Sequence, residues 1–318
     1  MNALAPASTG LAGDIAHDLV TGMEWPAATV RECLHLAAEV KSAPERYRTA
    51  LAGKFIAMIF EKPSLRTRTT FDIGMQSMGG GAVFLDNTHT RLGERESIKD
   101  VAKNLQQWVH GIVARVFLQS SLDELAEHAS IPVINALSDR YHPCQAFADF
   151  LTLEEHFGGV RGLKVAYVGD GNNVCNSLML AGARLGAHVR VGTPKGYEPP
   201  ADIVAEARRA AKETKGKIEL FHSAEEAAEG SQAVYTDVWA SMGQEEETEK
   251  RAKDFAGFQV NKPLMKLAAS DAIFLHCLPA HRGSEVSADV MDSSRSLAYE
   301  QAGNRLHVQK AVLLLLLS

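Results

Sequence analysis

The chain has 318 residues, 46% of them hydrophobic, which suffices for more than one buried core and argues for two domains. Lys+Arg 33 against Asp+Glu 39 leaves a formal charge of -6, and no segment gathers its basic residues into the stripe a nucleic acid requires, so no such partner is expected. Scattered cysteines without a CxxC pair, no basic-then-apolar leader in Met1–Gly13, and a longest aliphatic run (Ala311–Leu317) far below the roughly 20 residues of a membrane span describe a soluble, unprocessed cytoplasmic protein.

Short apolar, β-branched runs alternate with longer stretches of helical period, the pattern of parallel strands joined by crossover helices. Strands are expected near Phe55–Phe60, Ala82–Leu85, Ile112–Phe117 and Val133–Ala136. Between the first two, Phe71, Met75 and Met78 recur at i, i+4 and i+7, so Leu65 to Met78 reads as one amphipathic helix that Gly79-Gly80-Gly81 ends. Pro143–Phe157 reads as a helix that leaves the fourth strand and links two halves. A second set of strands follows at Lys164–Val168, His188–Val191, Ile218–Phe221, Val234–Thr236 and Ile273–Cys277, giving a second doubly wound α/β unit with a mainly parallel sheet flanked by helices. Gly158, Gly159 and Gly162 put the boundary near residue 150. The helix Ala298–Leu317 ends apolar all round, hence buried, and is expected to return to the first domain. The domains expected are therefore 1–150 plus about 298–318, and 151–297.

Ser64-Leu65-Arg66-Thr67-Arg68 sits where a strand gives way to a helix. Backbone N–H groups, the positive end of the helix dipole, two hydroxyls and the Arg66 fork make a phosphate cradle there, and two arginines in a first turn ask for a compensating anion. The bland alternative is a plain Ser64 N-cap beside solvated arginines. His142-Pro143-Cys144-Gln145 opens the helix after the fourth strand, so Ser64–Thr67, Arg115, His142 and Gln145 could meet around one small anion. No ligand pair has zinc spacing, so no metal is expected, and Cys144 reads equally as a small buried residue.

Gly169-Asp170-Gly171-Asn172-Asn173 lies where a dinucleotide fingerprint would lie. Val174 stands in place of its third glycine and Val191-Gly192-Thr193-Pro194 offers no acid for a ribose, so nicotinamide is disfavoured. The asparagine amides suit the carboxylate or ammonium of a zwitterion, or simply cap the helix. Asp237-Val238-Trp239-Ala240-Ser241-Met242-Gly243 and His276-Cys277-Leu278-Pro279 each follow a strand, and Glu245-Glu246-Glu247 read as solvated surface.

Together these segments resemble the aspartate/ornithine carbamoyltransferase family over essentially the whole chain, and within it the ornithine branch. Ser64-x-Arg66-Thr67-Arg68, Arg115, His142-Pro143-Cys144-Gln145 and Arg305 are similar to its carbamoyl phosphate site. Asp237-x-x-x-Ser241-Met242-Gly243 and His276-Cys277-Leu278-Pro279 are similar to its ornithine-specific part. The resemblance implies no cofactor, a homotrimer or a multiple of it, and carbamoyl transfer from carbamoyl phosphate to L-ornithine, giving citrulline and phosphate in arginine metabolism. It implies that Ser64, Leu65 (through its backbone) and Arg66 hold phosphate, and that Thr67, Arg115 and His142 face the carbonyl oxygen. Gln145 and the carbonyls of Cys277 and Leu278 would hold the carbamoyl NH2, and Arg305 would add a contact. Asn173, Asp237, Ser241 and Met242 would place ornithine, with Asp237 and Cys277 orienting its side-chain amine. The loop Thr88–Glu96 resembles a segment lent to a neighbouring site. Leu65 stands where ornithine enzymes usually carry threonine. The N-acetylornithine branch, similar at Ser64–Arg68 and at Asn304–Lys310, is the alternative; a nicotinamide oxidoreductase and a non-catalytic amino-acid sensor are the rival classes.

Overall fold

The computed structural model describes residues 16–89, 91–240 and 247–318. It divides into two compact units, Met1–Cys144 with Arg305–Ser318, and Gln145–Asn304. In the first, β1 (Phe55–Phe60), β2 (Gly81–Asp86), β3 (Gly111–Arg115) and β4 (Val133–Leu137) form a parallel sheet in the order β2-β1-β3-β4. Its helices are α1 (Ala27–Ser42), α2 (Leu65–Ser77), α3 (Ile98–Leu105) and α4 (Gln119–His128). From β1 the sheet grows one way through β2 and the other way through β3, so its topological switch lies between the carboxyl ends of β1 and β3.

The free edge of β4 is blunted by the chain's own start. Leu19 donates its N–H to Val133 O at 2.9 Å, Leu19 O accepts the Asn135 N–H at 2.7 Å, and the Asp18 carboxylate takes the Val133 N–H at 2.7 Å. Those pairings occupy the start of the edge that β4 would otherwise offer to another strand. The strand expected to reach Phe117 stops at Arg115. A register irregularity between Ala114 and Arg115 interrupts the ladder with β4, and the Phe117 N–H turns instead to the buried Glu61 carboxylate at 2.6 Å.

The second unit holds β5 (Lys164–Val168), β6 (His188–Gly192), β7 (Lys217–Phe221), β8 (Ala233–Thr236) and β9 (Ile273–His276), all parallel, in the order β7-β6-β5-β8-β9. Its switch point lies between β5 and β8. Helix α5 (Pro143–Phe157) leads into it, followed by α6 (Asn173–Leu185), α7 (Ala201–Thr214), α8 (Ala224–Ala228), α9 (Thr248–Asp254), α10 (Lys262–Met265) and α11 (Ala288–Met291). Every residue of α6 from Val174 to Leu185 is buried. Gly182 permits a close approach to the sheet: a Cβ there would come 2.5 Å from Val189 Cγ2 on β6. Phe255, Val260 and Phe274 anchor a core in this unit.

Helix α12 (Ala298–Leu317) contributes its stretch from Arg305 onward to the first unit, as its apolar end implies. Val308, Ala311, Val312 and Leu313 there have no exposed surface. Among the described residues, no helix is long and apolar enough to cross a membrane.

Candidate functional site

In the first unit the cradle sits at the switch point. Ser64 caps α2 with extended backbone, and its Oγ accepts the Thr67 N–H at 3.2 Å; such a cap is worth about 1 kcal/mol. The capping geometry is therefore real, and it is compatible with anion binding, because the hydroxyl proton remains available to a ligand. The two first-turn arginines part company. Arg68 lies over the Phe84 ring of β2 at 3.7 Å, a cation–π contact. Arg66 stays close enough to the His142 ring to act on its charge. Leu65 points its side chain outward, 80% exposed.

Arg115 ends β3, the strand next to β1, and is buried. Arg305, also buried, donates from Nη2 to Thr67 Oγ1 at 2.7 Å across 238 residues of sequence. His142, just before α5, is buried beside Arg305, Arg115 and Arg66. Burial first, then those three positive charges, holds its pKa well below the usual value near 6.5, so the ring is neutral. The result is a concentration of fixed positive charge around one uncharged imidazole. Burial pushes the Cys144 thiol up to about 12, which makes it a packing residue and not a nucleophile. Beside the cradle, Phe60, Lys62, Ser64, Arg68, Asp86 and Thr88 line a cavity. The described part of the Thr88–Glu96 loop, which omits Thr90, is tied to the rim through Glu61, whose Oε1 accepts the Leu92 N–H at 2.7 Å.

In the second unit the site again occupies the switch point. Asn172 caps α6: its Oδ1 accepts N–H from Val174 at 3.0 Å and from Cys175 at 3.1 Å. Its Nδ2 donates to Asp237 Oδ2, beyond the end of β8, at 2.8 Å. Asp237 Oδ1 takes the Val238 N–H at 2.8 Å and the Cys277 thiol at 2.9 Å. Burial and the neighbouring Asp237 push the Cys277 thiol pKa well up, so it remains S–H and serves as a donor. Asn173 is the first residue of α6. Gln145, at the start of α5, donates from Nε2 to Asp149 Oδ1 at 2.8 Å, while its buried Oε1 has no hydrogen-bond partner among the described residues. Ser241 and Met242 lie outside the described residues, as do Glu245 and Glu246; Glu247 is exposed and pairs with Arg251.

Asp237, His276 and Cys277 bring one donor atom each within 4.8 Å of one another. Both ring nitrogens of His276 are already engaged, Nδ1 by the Leu278 N–H and Nε2 by Glu285. The glycine-rich turn after β5 has a packing reason: a Cβ on Gly171 would fall 2.3 Å from Pro199 N, so the backbone of Glu198 and Pro199 crosses where a pyrophosphate would need to approach. Sequence reasoning missed Arg251, whose Nη1 donates to both Asp170 Oδ2 and Trp239 O at 2.8 Å and so ties down the segment after Asp237. It also missed Asn172 as the partner of Asp237. Neither carries a local signal, since each acts on a residue 12 to 81 positions away.

Comparison with known proteins gives these sites a context. The aspartate/ornithine carbamoyltransferase carbamoyl-P binding domain matches residues 17–155, and the Asp/Orn binding domain of the same family matches residues 161–316. The ornithine carbamoyltransferase of Thermus thermophilus is 50% identical over 97% of this chain and 99% of its own length, and that of Pyrococcus horikoshii is 53% identical over 84% of each. The solved ornithine carbamoyltransferase from Pyrococcus furiosus superposes with a TM-score of 0.91 at 48% identity, covering 94% of this chain and 96% of that one. On both halves, in sequence and in fold, this chain belongs to the aspartate/ornithine carbamoyltransferase family.

Proposed function

We propose that the protein transfers the carbamoyl group of carbamoyl phosphate to the side-chain amine of L-ornithine, giving L-citrulline and phosphate. The observation that carries this reading is the Asp237 carboxylate, fixed by Asn172, Val238 and Cys277 at the switch point of the second sheet. A buried carboxylate suits a free ammonium, and in this reading Asp237 also faces the α-ammonium, which N-acetylornithine replaces with an uncharged amide. The names of relatives near 50% identity support the same choice.

The reaction requires an uncharged amine to attack the carbonyl carbon, negative charge to gather on the carbonyl oxygen, and the C–O bond to phosphate to break. Ser64, the backbone of Leu65, Arg66 and the α2 N-terminus take the phosphate. Thr67, Arg115 and His142 donate to the carbonyl oxygen; a neutral imidazole still offers one N–H, and the arginines supply the charge. Arg305 adds a second cationic contact. Gln145 Oε1 and the carbonyls of Cys277 and Leu278 accept from the carbamoyl NH2. Asn173, Asp237, Ser241 and Met242 hold ornithine, and Asp237 with Cys277 orients its amine. We also infer a cytoplasmic homotrimer or a multiple of trimers, to be measured by light scattering; a fully active monomer contradicts that assembly.

The test is citrulline formation from carbamoyl phosphate with ornithine, N-acetylornithine, putrescine and aspartate in parallel. Ornithine is expected to exceed each of the others in kcat/KM by at least ~100-fold, the selectivity of a site built around buried polar partners. A preference for N-acetylornithine overturns the reading.

A further inference from the structure

The turn that carries Cys277 and Leu278 is held from behind by a buried relay. Leu278 is a non-glycine residue with φ 60°, in the left-handed region where an L side chain persists only when its surroundings fix it. His276 does the fixing. Its ring has no exposed surface, and Nδ1 accepts the Leu278 N–H at 2.9 Å. That bond sets the tautomer, so Nε2 carries the proton and donates to Glu285 Oε1 at 3.1 Å. Glu285 is 1% exposed, and the same oxygen accepts the His281 N–H at 2.5 Å, so one carboxylate grips both ends of the turn. On the other side, the His276 N–H donates to Gln301 Oε1 at 2.9 Å, and Gln301 Nε2 donates to Asp149 Oδ1 at 2.6 Å. Asp149 Oδ1 is also the atom that receives Gln145 Nε2. Two of the groups assigned to the carbamoyl NH2 are thus referred to one buried frame.

We propose that His276, held by Glu285, is a positioning residue: its Nδ1 bond to the Leu278 N–H aims the Cys277 thiol and the Leu278 carbonyl at the reacting groups. The proposal rests on the carbamoyl-transfer reading above. Because other residues hold the α-carbon groups of ornithine, a loosened turn lowers turnover and leaves ornithine binding largely intact.

Two substitutions separate the ring nitrogens. The amide oxygen of His276→Asn replaces Nδ1, whereas the amide nitrogen of His276→Gln replaces Nε2. His276→Gln is expected to lower kcat about 30-fold with ornithine KM within about 3-fold, while His276→Asn stays within about 5-fold of wild type in both. A second readout does not depend on the reaction: in the native protein, alkylation of buried Cys277 by iodoacetamide, followed by peptide mass, should rise at least ~10-fold in the Gln variant and little in the Asn variant. Glu285→Leu removes both anchors at similar volume and should match His276→Gln, which keeps the test open if the histidine variants do not fold. Equal kcat losses in Asn and Gln, or Cys277 protection unchanged in Gln and in Glu285→Leu, overturns the proposal. A wild-type protein that makes no citrulline while the alkylation pattern holds refutes the transferase reading and leaves the positioning of the turn standing.

Discussion

Both sheets reverse direction at one pair of strands, β1 with β3 in the first unit and β5 with β8 in the second, and each carries its candidate site at the carboxyl end of that pair. The crevices are filled with opposite chemistry. The first gathers Arg66, Arg115 and Arg305 around a neutral His142. The second gathers the Asp237 carboxylate, a thiol and an amide. Even the helix N-termini differ: Ser64 covers one N–H of α2, whereas the Asn172 carbonyl oxygen covers two N–H groups of α6 and its NH2 then turns to Asp237. Strand order thus decides where the two candidate sites lie, and side chains at or beyond the strand ends, joined in the first unit by Arg305 of α12, decide the sign of the charge gathered there.

The largest test of this contrast removes a cation from the first crevice. Arg66→Ala should lower kcat/KM for carbamoyl phosphate at least ~100-fold, because in the proposed reaction its fork would contact a group whose charge grows as it leaves. A steady-state assay giving a near-wild-type value would break the assignment of an anion to this rim.

Next comes the charge in the second crevice. Asp237→Asn should reduce ornithine turnover by at least ~30-fold, about 2 kcal/mol, with carbamoyl phosphate affinity by calorimetry nearly unchanged. The new amide also meets the Asn172 NH2, donor against donor, and weakens the α6 cap by about 1 kcal/mol. Adding Asn172→Asp reverses the pair and should restore the melting temperature without restoring turnover. Recovery of both together would reduce Asp237 to a turn-former.

The neutral histidine gives a smaller effect, read as stability. His142 has its folded-state pKa held well below 6.5 by burial and then by Arg305, Arg115 and Arg66. Below pH 6.5 the unfolded chain takes up a proton that the folded chain refuses. This contribution is therefore intact above pH 6.5 and declines as the pH falls, by at most about 1.4 kcal/mol per unit. Denaturant melts of ligand-free wild type and His142→Gln from pH 7.5 to 5.5 should show the histidine protein losing more stability; parallel losses would mean that the ring is protonated in the fold.

The smallest expected change is Leu65→Thr. With the Leu65 side chain 80% exposed, the carbamoyl phosphate KM should move by less than ~3-fold, as for an ordinary surface substitution. A ~10-fold gain in affinity, the scale of a new hydrogen bond, would show that this position reaches the phosphate with its side chain.

Much of this was legible in the sequence for simple reasons. Parallel strands buried on both faces read as short apolar runs, and all nine expected strands form within one or two residues of their expected ends. Ser64, Arg66, Thr67, Arg115, His142, Asp237 and Cys277 were legible because each lies at a strand end or beside a helix start, where chemistry-bearing residues stand out from local pattern. The apolar end of α12 announced its burial.

Strand order was not legible, because hydrophobic period is the same for a central strand wherever it pairs, so the two switch points appear only once β3 lies beside β1 and β8 beside β5. Nor did the sequence distinguish Arg66 from Arg68: helical spacing turns one toward His142 and the other onto Phe84. Long-range polar partners were equally hidden. Asn172 with Asp237, Arg251 with Asp170 and Glu285 with His276 are pairs whose geometry depends on how far apart the fold brings two loops. Composition and periodicity are properties of neighbours in the chain and determined the elements and the residue types at their ends; hydrogen-bond direction and charge proximity are properties of neighbours in space, and only the tertiary structure decided them.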